Sequence, residues 1–226
     1  MKKLISVFVC LTLCLTGVLS ALAESAQEYT VGSKVTLGHY EQDNLLENGK
    51  EPVDWIVIDT DGTKALLMSE YCLDARAYNK RFIPMTWAQC DLRTWLNSDF
   101  LNELFTKEEQ EKICATELEN KDNTHYSTPG GKNTTDKIFF LSLTETESYF
   151  PEAKDRVAKP TPYAIARGAF VNKDNGNAWW WLRTPGVRPI DACGVRADGR
   201  ISGYGSRDVN RPSGALRPVL WVDFGK

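Results

Sequence analysis

Between Arg183 and Arg217 the chain holds seven arginines: Arg183, Arg188, Arg196, Arg200, Arg207, Arg211 and Arg217. The same 35 residues contain no lysine, no glutamate and three aspartates, Asp191, Asp198 and Asp208. Just ahead of them stand three consecutive tryptophans, in "NAWWWLRTPGVR" (Asn177 to Arg188). A guanidinium is a planar fork of donors. It grips a carboxylate or sulfate through paired hydrogen bonds and stacks on an indole face, and lysine does neither as well. The chemistry suggested is recognition of an anionic or carbohydrate-like ligand. The residues placed to do it are Trp179, Trp181, Arg188, Arg200, Tyr204, Arg207 and Arg211. The competing reading is structural, with arginines bonding loop carbonyls and stacking on core tryptophans. It weighs more for one arginine than for the cluster.

Strand alternation limits what the tryptophans can do. Side chains on a strand point to opposite faces in turn, so Trp180 and Leu182 share one face while Trp179, Trp181 and Arg183 share the other. Three adjacent rings therefore cannot form one flat platform. The Trp180 and Leu182 face is assigned to the core. Whether Trp179 and Trp181 are covered by the arginine-rich loops is left to the fold.

Bond-making chemistry finds less support. The two histidines, His39 and His125, are 86 positions apart, and no Cys/His group has zinc spacing. The "NKDNTH" and "NKDNGN" stretches carry oxygen ligands that calcium could use. Asn, Asp and Gly in such tracts are also ordinary turn chemistry. A nucleophile needs a base and an orienting group, and no G-x-S-x-G elbow occurs. No carboxylate pair is marked by its context as a glycosidase pair would be. No cofactor and no metal is expected.

The N-terminus carries Lys2 and Lys3, the apolar run "LISVFVCLTLCLTGVLS" and Ala21-Leu22-Ala23. A basic start, an apolar core and an A-x-A site together read as a secretory signal peptide, residues 1–23. Cleavage there moves the net charge from -3 to -5, because both early lysines are lost. A mildly acidic chain lacks the dominant cationic field that nucleic acid requires. The arginine-rich stretch stands out against this background as locally cationic. The expected location is secreted or cell-surface, with no membrane contact after cleavage. Four cysteines then remain, Cys72, Cys90, Cys114 and Cys193. An oxidising compartment permits disulfides, but the spacing is wide and irregular, and free thiols are an equal alternative.

The elements that must position these residues follow from local pattern. "SKVTLGHYEQ" reads as a strand. "VDWIVIDTDGTKALLMSE" reads as a hairpin turning at Asp61-Gly62, its first arm apolar on both faces and hence central. "TWAQCDLRTWLNSDF" opens with Thr86 and Gln89 at capping-box spacing. "TKEEQEKI" repeats that signal with Thr106 and Glu109, and "SLTETESYF" with Ser142 and Glu145. The helices are expected to be short and in series, interrupted at Asn97-Ser98 and at Thr106. Trp55, Trp87, Trp95 and Trp221 lie in apolar periodic runs and read as core. Glu119 to Asp136 reads as a loop, "KIFFLSL" as a buried strand, and Thr161-Pro162 as a helix start with Gly168 closing it. "AWWWLRT" is a strand, "GVRADGRISGYG" a hairpin at Asp198-Gly199, and "ALRPVLWVDF" a closing strand disturbed by Pro218. The expectation is a single α+β domain over residues 33–226, after a short lead-in at 24–32, with β-rich ends, helices in the middle and long loops.

These blocks, in this order, resemble the DUF6273 family of secreted or surface domains from gut and anaerobic bacteria. "WWWLRTPG" and "GALRPVLWV" carry the resemblance most specifically, which runs from about Val31 to Phe224. Arg183 and Arg217 sit inside those two blocks, which implies structural roles for them. The last third is similar in style to C-type-lectin-like domains of the formylglycine-generating-enzyme branch. That likeness implies a compact C-type-lectin-like fold with ligand-facing loops on one side. Neither branch's chemistry comes with it. The enzymes use a close pair of cysteines, whereas Cys193 stands alone in the last 112 residues. The lectins' Glu-Pro-Asn and Trp-Asn-Asp calcium signatures are absent, since Val53 follows Glu51-Pro52.

The function expected is a non-catalytic binding domain that presents the loops between Thr184 and Gly214 to an extracellular glycan or acidic surface polymer. The alternatives are a hydrolase acting on cell-wall or host polymers and a structural module with protein contacts only.

Overall fold

The computed structural model describes residues 29–226, apart from the side chains of residues 203–206. The expected signal peptide, the start of the lead-in at 24–28 and the Tyr204 side chain therefore lie outside the described residues. The described end of the lead-in is part of the fold. Tyr29 stacks on Phe224 at 3.9 Å, and the Gly32 amide donates to Val57 O at 2.8 Å.

Two sheets organise an α+β chain. The first contains β1 (Lys34–Tyr40), β2 (Glu51–Asp61), β3 (Lys64–Ser69) and β11 (Val219–Asp223), in the order β1-β2-β3-β11 with antiparallel pairing throughout. As expected, β2 is central. Its hairpin turn is displaced by one residue, because Asp61 pairs with Lys64 and the loop is Gly62-Thr63. Gly62 alone takes a positive φ, +61°, so a glycine at the first loop position sets the turn.

The second sheet contains β4 (Asp74–Ala75), β7 (Trp180–Pro185), β8 (Asp191–Val195), β9 (Ile201–Asp208) and β10 (Ala215–Leu216), in the order β4-β10-β7-β8-β9. The closing strand is thus two strands. Arg217-Pro218 stands at the crossing between the sheets, where a residue without an N–H is tolerated. A small third pair, β5 (Thr116–Leu118) with β6 (Thr134–Asp136), closes the loop 119–133 at its base.

The helices are short, and none among the described residues is long and apolar enough to cross a membrane. Where a break was expected at Asn97-Ser98, the chain stays helical. α1 (Asp91–Trp95) runs through a π-turn, Leu96–Phe100, into α2 (Leu101–Leu104). The Asn97 side chain donates to Ile138 O at 2.8 Å and accepts from the Lys137 amide at 2.8 Å, so the widened turn is pinned to the neighbouring segment. A residue type that breaks isolated helices here serves tertiary structure.

Thr86 forms no side-chain cap on the short 3-10 turn Trp87–Gln89, and the Cys90 sulfur caps α1 instead. The boxes at Thr106/Glu109 and Ser142/Glu145 do form, at the starts of α3 (Lys107–Lys112) and α4 (Leu143–Tyr149). After α5 (Ala153–Arg156), Thr161 caps α6 (Pro162–Ala166).

"KIFFLSL" is buried but is not a strand. Phe139 makes an isolated bridge to Val219, and the Arg183 amide donates to Leu141 O at 3.0 Å. The segment is a seam between the sheets, and side chains satisfy polar groups that a ladder would otherwise satisfy. The four cysteines are free thiols. Cys72, Cys90 and Cys193 are buried, and burial pushes each thiol up to about 12.

Candidate functional site

The tryptophan run leads into β7, the middle strand of the second sheet, with Trp179 just ahead of it and Trp180 and Trp181 on it, and it is covered on both sides. Trp179, Trp180 and Trp181 are 2%, 0% and 0% exposed, so neither Trp179 nor Trp181 offers a free face for stacking a sugar. Trp180, as assigned, is core, and its indole N–H donates to Arg156 O at 3.1 Å. Trp179 and Trp181 meet edge to face at 4.7 Å. The chain at Gly214 presses against both rings so closely that a Cβ there would collide with the Trp181 indole. Trp181 donates its indole N–H to Arg76 O at 2.9 Å.

The arginines divide into three groups. Arg183 and Arg217 are buried at 3% each and serve the core. Arg183 donates to Phe140 O at 2.9 Å, to Asn120 Oδ1 at 3.2 Å and to both carboxylate oxygens of Glu145, with Nη2 to Oε1 at 2.6 Å. Burial opposes ionisation of Glu145, but the hydrogen bonds and charge of Arg183 outweigh it and hold the carboxyl below its ordinary value. Arg217 donates to Ser69 O at 3.0 Å and lies over Trp180.

Arg188 and Arg200 already have carboxylate partners. Arg188 forks onto Asp191 at 2.7 and 2.8 Å and reaches Asp208 at 3.2 Å. Arg200 holds Asp198 at 2.9 and 2.7 Å. Both tie their own loops, and a ligand would have to displace these aspartates.

Arg207 and Arg211 differ. Arg207 extends from β9 across the face of Trp179, its guanidinium carbon 4.1 Å from the ring centre. Among the described residues no carboxylate pairs with it, and its Nε is buried without a hydrogen-bond partner. Burial, then the like charges of Arg211 and Arg196, pull its pKa down to about 10, so it is still a cation at neutral pH. Arg211 is exposed and forms no ion pair among the described residues. Arg196, which the sequence did not single out, contacts Asp198 only loosely at 3.7 Å. The structure therefore gathers Arg196, Arg207 and Arg211 into one cationic surface, in which Arg207 rests on Trp179 and neither Arg207 nor Arg211 has a carboxylate partner among the described residues.

Three features were not legible beforehand. A cavity of about 420 Å³ lies beside Arg76, Lys80, Asp91 and Trp95. Trp95, read as core, is in fact partly exposed and carries the Arg76 guanidinium on its face at 4.0 Å. A smaller polar recess of about 110 Å³ surrounds Arg183, Glu145 and Asn120. Glu41, Asp43 and Glu51 also converge with carboxylate oxygens within 4.8 Å, an arrangement of hard oxygen donors, although exposed acidic groups often meet this way without an ion. No signal in the sequence could pair Arg76 with Trp95, because an irregular segment and a helix meet there only in the fold. The histidines lie apart, His39 exposed on β1 and His125 exposed in the loop 119–133.

Compared with known proteins, residues 62–224 match the family model described as "Domain of unknown function (DUF6273)". No curated protein and no solved structure matches the chain.

Proposed function

The chain belongs to the DUF6273 family, and we propose that it is a non-catalytic binding domain that works outside the cell. It would hold an anionic glycan or acidic surface polymer on the arginine surface of β9 and the loop 209–214. The observation that carries this reading is Arg207. A cation held on an aromatic ring, with a buried and unpartnered Nε and like charges beside it, is an unfavourable arrangement for a purely structural residue. An incoming carboxylate or sulfate would pair with the outer nitrogens of the half-buried guanidinium and relieve the repulsion between Arg196, Arg207 and Arg211. The aromatic part of the site works from beneath: Trp179 supports the Arg207 guanidinium and does not itself stack on the ligand.

The rest of the expectation enters on the same terms. A secretory signal at residues 1–23 would deliver the domain to the outside. The two-sheet α+β chain with long loops on the C-terminal sheet suits a C-type-lectin-like architecture. The ligand is held directly, by hydrogen bonds and charge.

The test uses protein beginning at Glu24, with polygalacturonate and dextran sulfate as probes in isothermal titration calorimetry. Binding should weaken with added salt, as exposed charge contacts do, and should be lost in the Arg207→Met, Arg211→Ala double variant. Binding to neither polymer, or equal binding by the variant, would sink the reading.

A further inference from the structure

We infer that the cavity beside Arg76 is a second anion subsite continuous with the Arg207 surface, so that the ligand is a linear carboxylated polysaccharide spanning both. This rests on the reading of Arg207 given above.

The backbone joins the two places. After β4 the segment 76–79 runs beside the loop 209–214. The Arg76 amide donates to Gly214 O at 3.0 Å at one end, and the Asn79 amide donates to Val209 O at 2.8 Å at the other. Both chains press on the same ring pair. Trp181 bonds Arg76 O, while Gly214 packs on Trp181 and Trp179. Arg207 stands on Trp179. The Arg207 guanidinium and the Arg76 backbone thus meet one aromatic pair, and the Arg76 side chain turns from there onto Trp95. From Arg207 to Arg76 the path crosses Trp179, then Trp181 at 4.7 Å between ring centres, then the Arg76 backbone and its extended side chain. A ligand that engages both must be longer than one sugar ring.

The two subsites share an unusual detail. Among the described residues, the buried side-chain nitrogens or oxygens that lack a hydrogen-bond partner are Arg76 Nε and Arg207 Nε. Both guanidiniums lie over an indole, with their central carbons 4.0 and 4.1 Å from the ring centre. Trp95 is itself packed on Phe100 at 4.8 Å, so the ring under Arg76 is held in place, and both Arg76 and Trp95 line the cavity.

The lining selects the ligand class. Arg76 and Lys80 supply positive charge. Asp99, Asp91 and Thr94 also line the cavity and supply acceptors. Lys80 has no ion-pair partner among the described residues, while Asp91 accepts from its backbone amide at 2.8 Å. A phosphate or sulfate would meet repulsion from Asp99. A sugar acid has both a carboxylate for the cations and hydroxyl donors for the aspartate. The volume, about 420 Å³, falls in the range of small-ligand pockets.

The test titrates galacturonate and galacturonate oligomers of increasing length into the protein beginning at Glu24, for wild type, Arg76→Gln and Lys80→Glu. Lys80 is exposed, so its variant keeps the fold even if Arg76→Gln does not. Wild type should bind the longer oligomers at least ~10-fold more tightly than monomer, as two linked subsites require. Both variants should lose that length dependence while retaining Arg207-dependent binding of short ligands. Length dependence unchanged in both variants overturns the second subsite and leaves the Arg207 reading standing. Failure of wild type to bind any uronate overturns the second subsite, and failure to bind dextran sulfate as well overturns both.

Discussion

Replacing Arg207 by methionine should leave the fold as stable as before, or slightly more so, while removing anion binding. The pull of the guanidinium pKa down to about 10 reflects burial first and like charges second. At about 1.4 kcal/mol per pH unit it corresponds to roughly 3 kcal/mol of electrostatic penalty for an unscreened group. Arg207 is only partly buried, so water screening reduces this to about 1.5 kcal/mol. Loss of the cation–π contact with Trp179 returns about 1 kcal/mol. Methionine keeps an apolar stem of similar length on the ring. The net expectation is a gain of about 0.5 kcal/mol, or an upward shift of about 1–2 °C in the unfolding midpoint for a domain of this size. Thermal unfolding by circular dichroism measures it, with and without polygalacturonate. The polymer should raise the midpoint of wild type and not of the variant. A fall of more than about 4 °C in Arg207→Met would mean that Arg207 is a structural residue with a partner the geometry does not reveal, and the reasoning would fail.

Three further outcomes follow from the same structure. Glu145→Gln leaves the buried Arg183 charge uncompensated and should destabilise the domain by about 3 kcal/mol at neutral pH, the lower end for a broken buried pair because Glu145 is partly exposed. Its carboxyl is held below the ordinary value in the folded state, so the wild-type advantage is present above about pH 4.3 and disappears as pH falls through the folded value. Urea melts at pH 7 and pH 3 should show the gap and then its closure. Gly214→Ala forces a Cβ into the Trp181 indole and should destabilise the domain by about 2 kcal/mol, read in the same melts. In protein beginning at Glu24, iodoacetamide at pH 8 should label Cys114 in the native state and reach Cys72, Cys90 and Cys193 only after unfolding, as mass spectrometry of peptides would show.

What the sequence by itself determined is local. Ser142 with Glu145 and Thr106 with Glu109 start helices because the cap and its partner are three residues apart and need nothing else. Thr161-Pro162 and the central strand Glu51–Asp61 follow from equally short-range rules. The family was also legible, since its blocks are contiguous words such as "WWWLRTPG".

The tertiary structure decided everything that depends on a distant partner. Asn97 reads as a helix breaker until Ile138 and Lys137 arrive to use its amide. "KIFFLSL" has strand composition, but its neighbours are Asn97, Arg183 and Val219, which leave no ladder to join. Alternation gave the two faces of the tryptophan run correctly and could not say that both would be covered. That required the strand to be third of five and Arg207 to reach back from β9. The seven arginines look alike in sequence because an ion pair is a matter of a few ångströms. Asp191 and Asp198 lie close enough to neutralise Arg188 and Arg200, no acid among the described residues pairs with Arg207, and the Arg76 that shares its stacked setting is more than a hundred residues away in the chain.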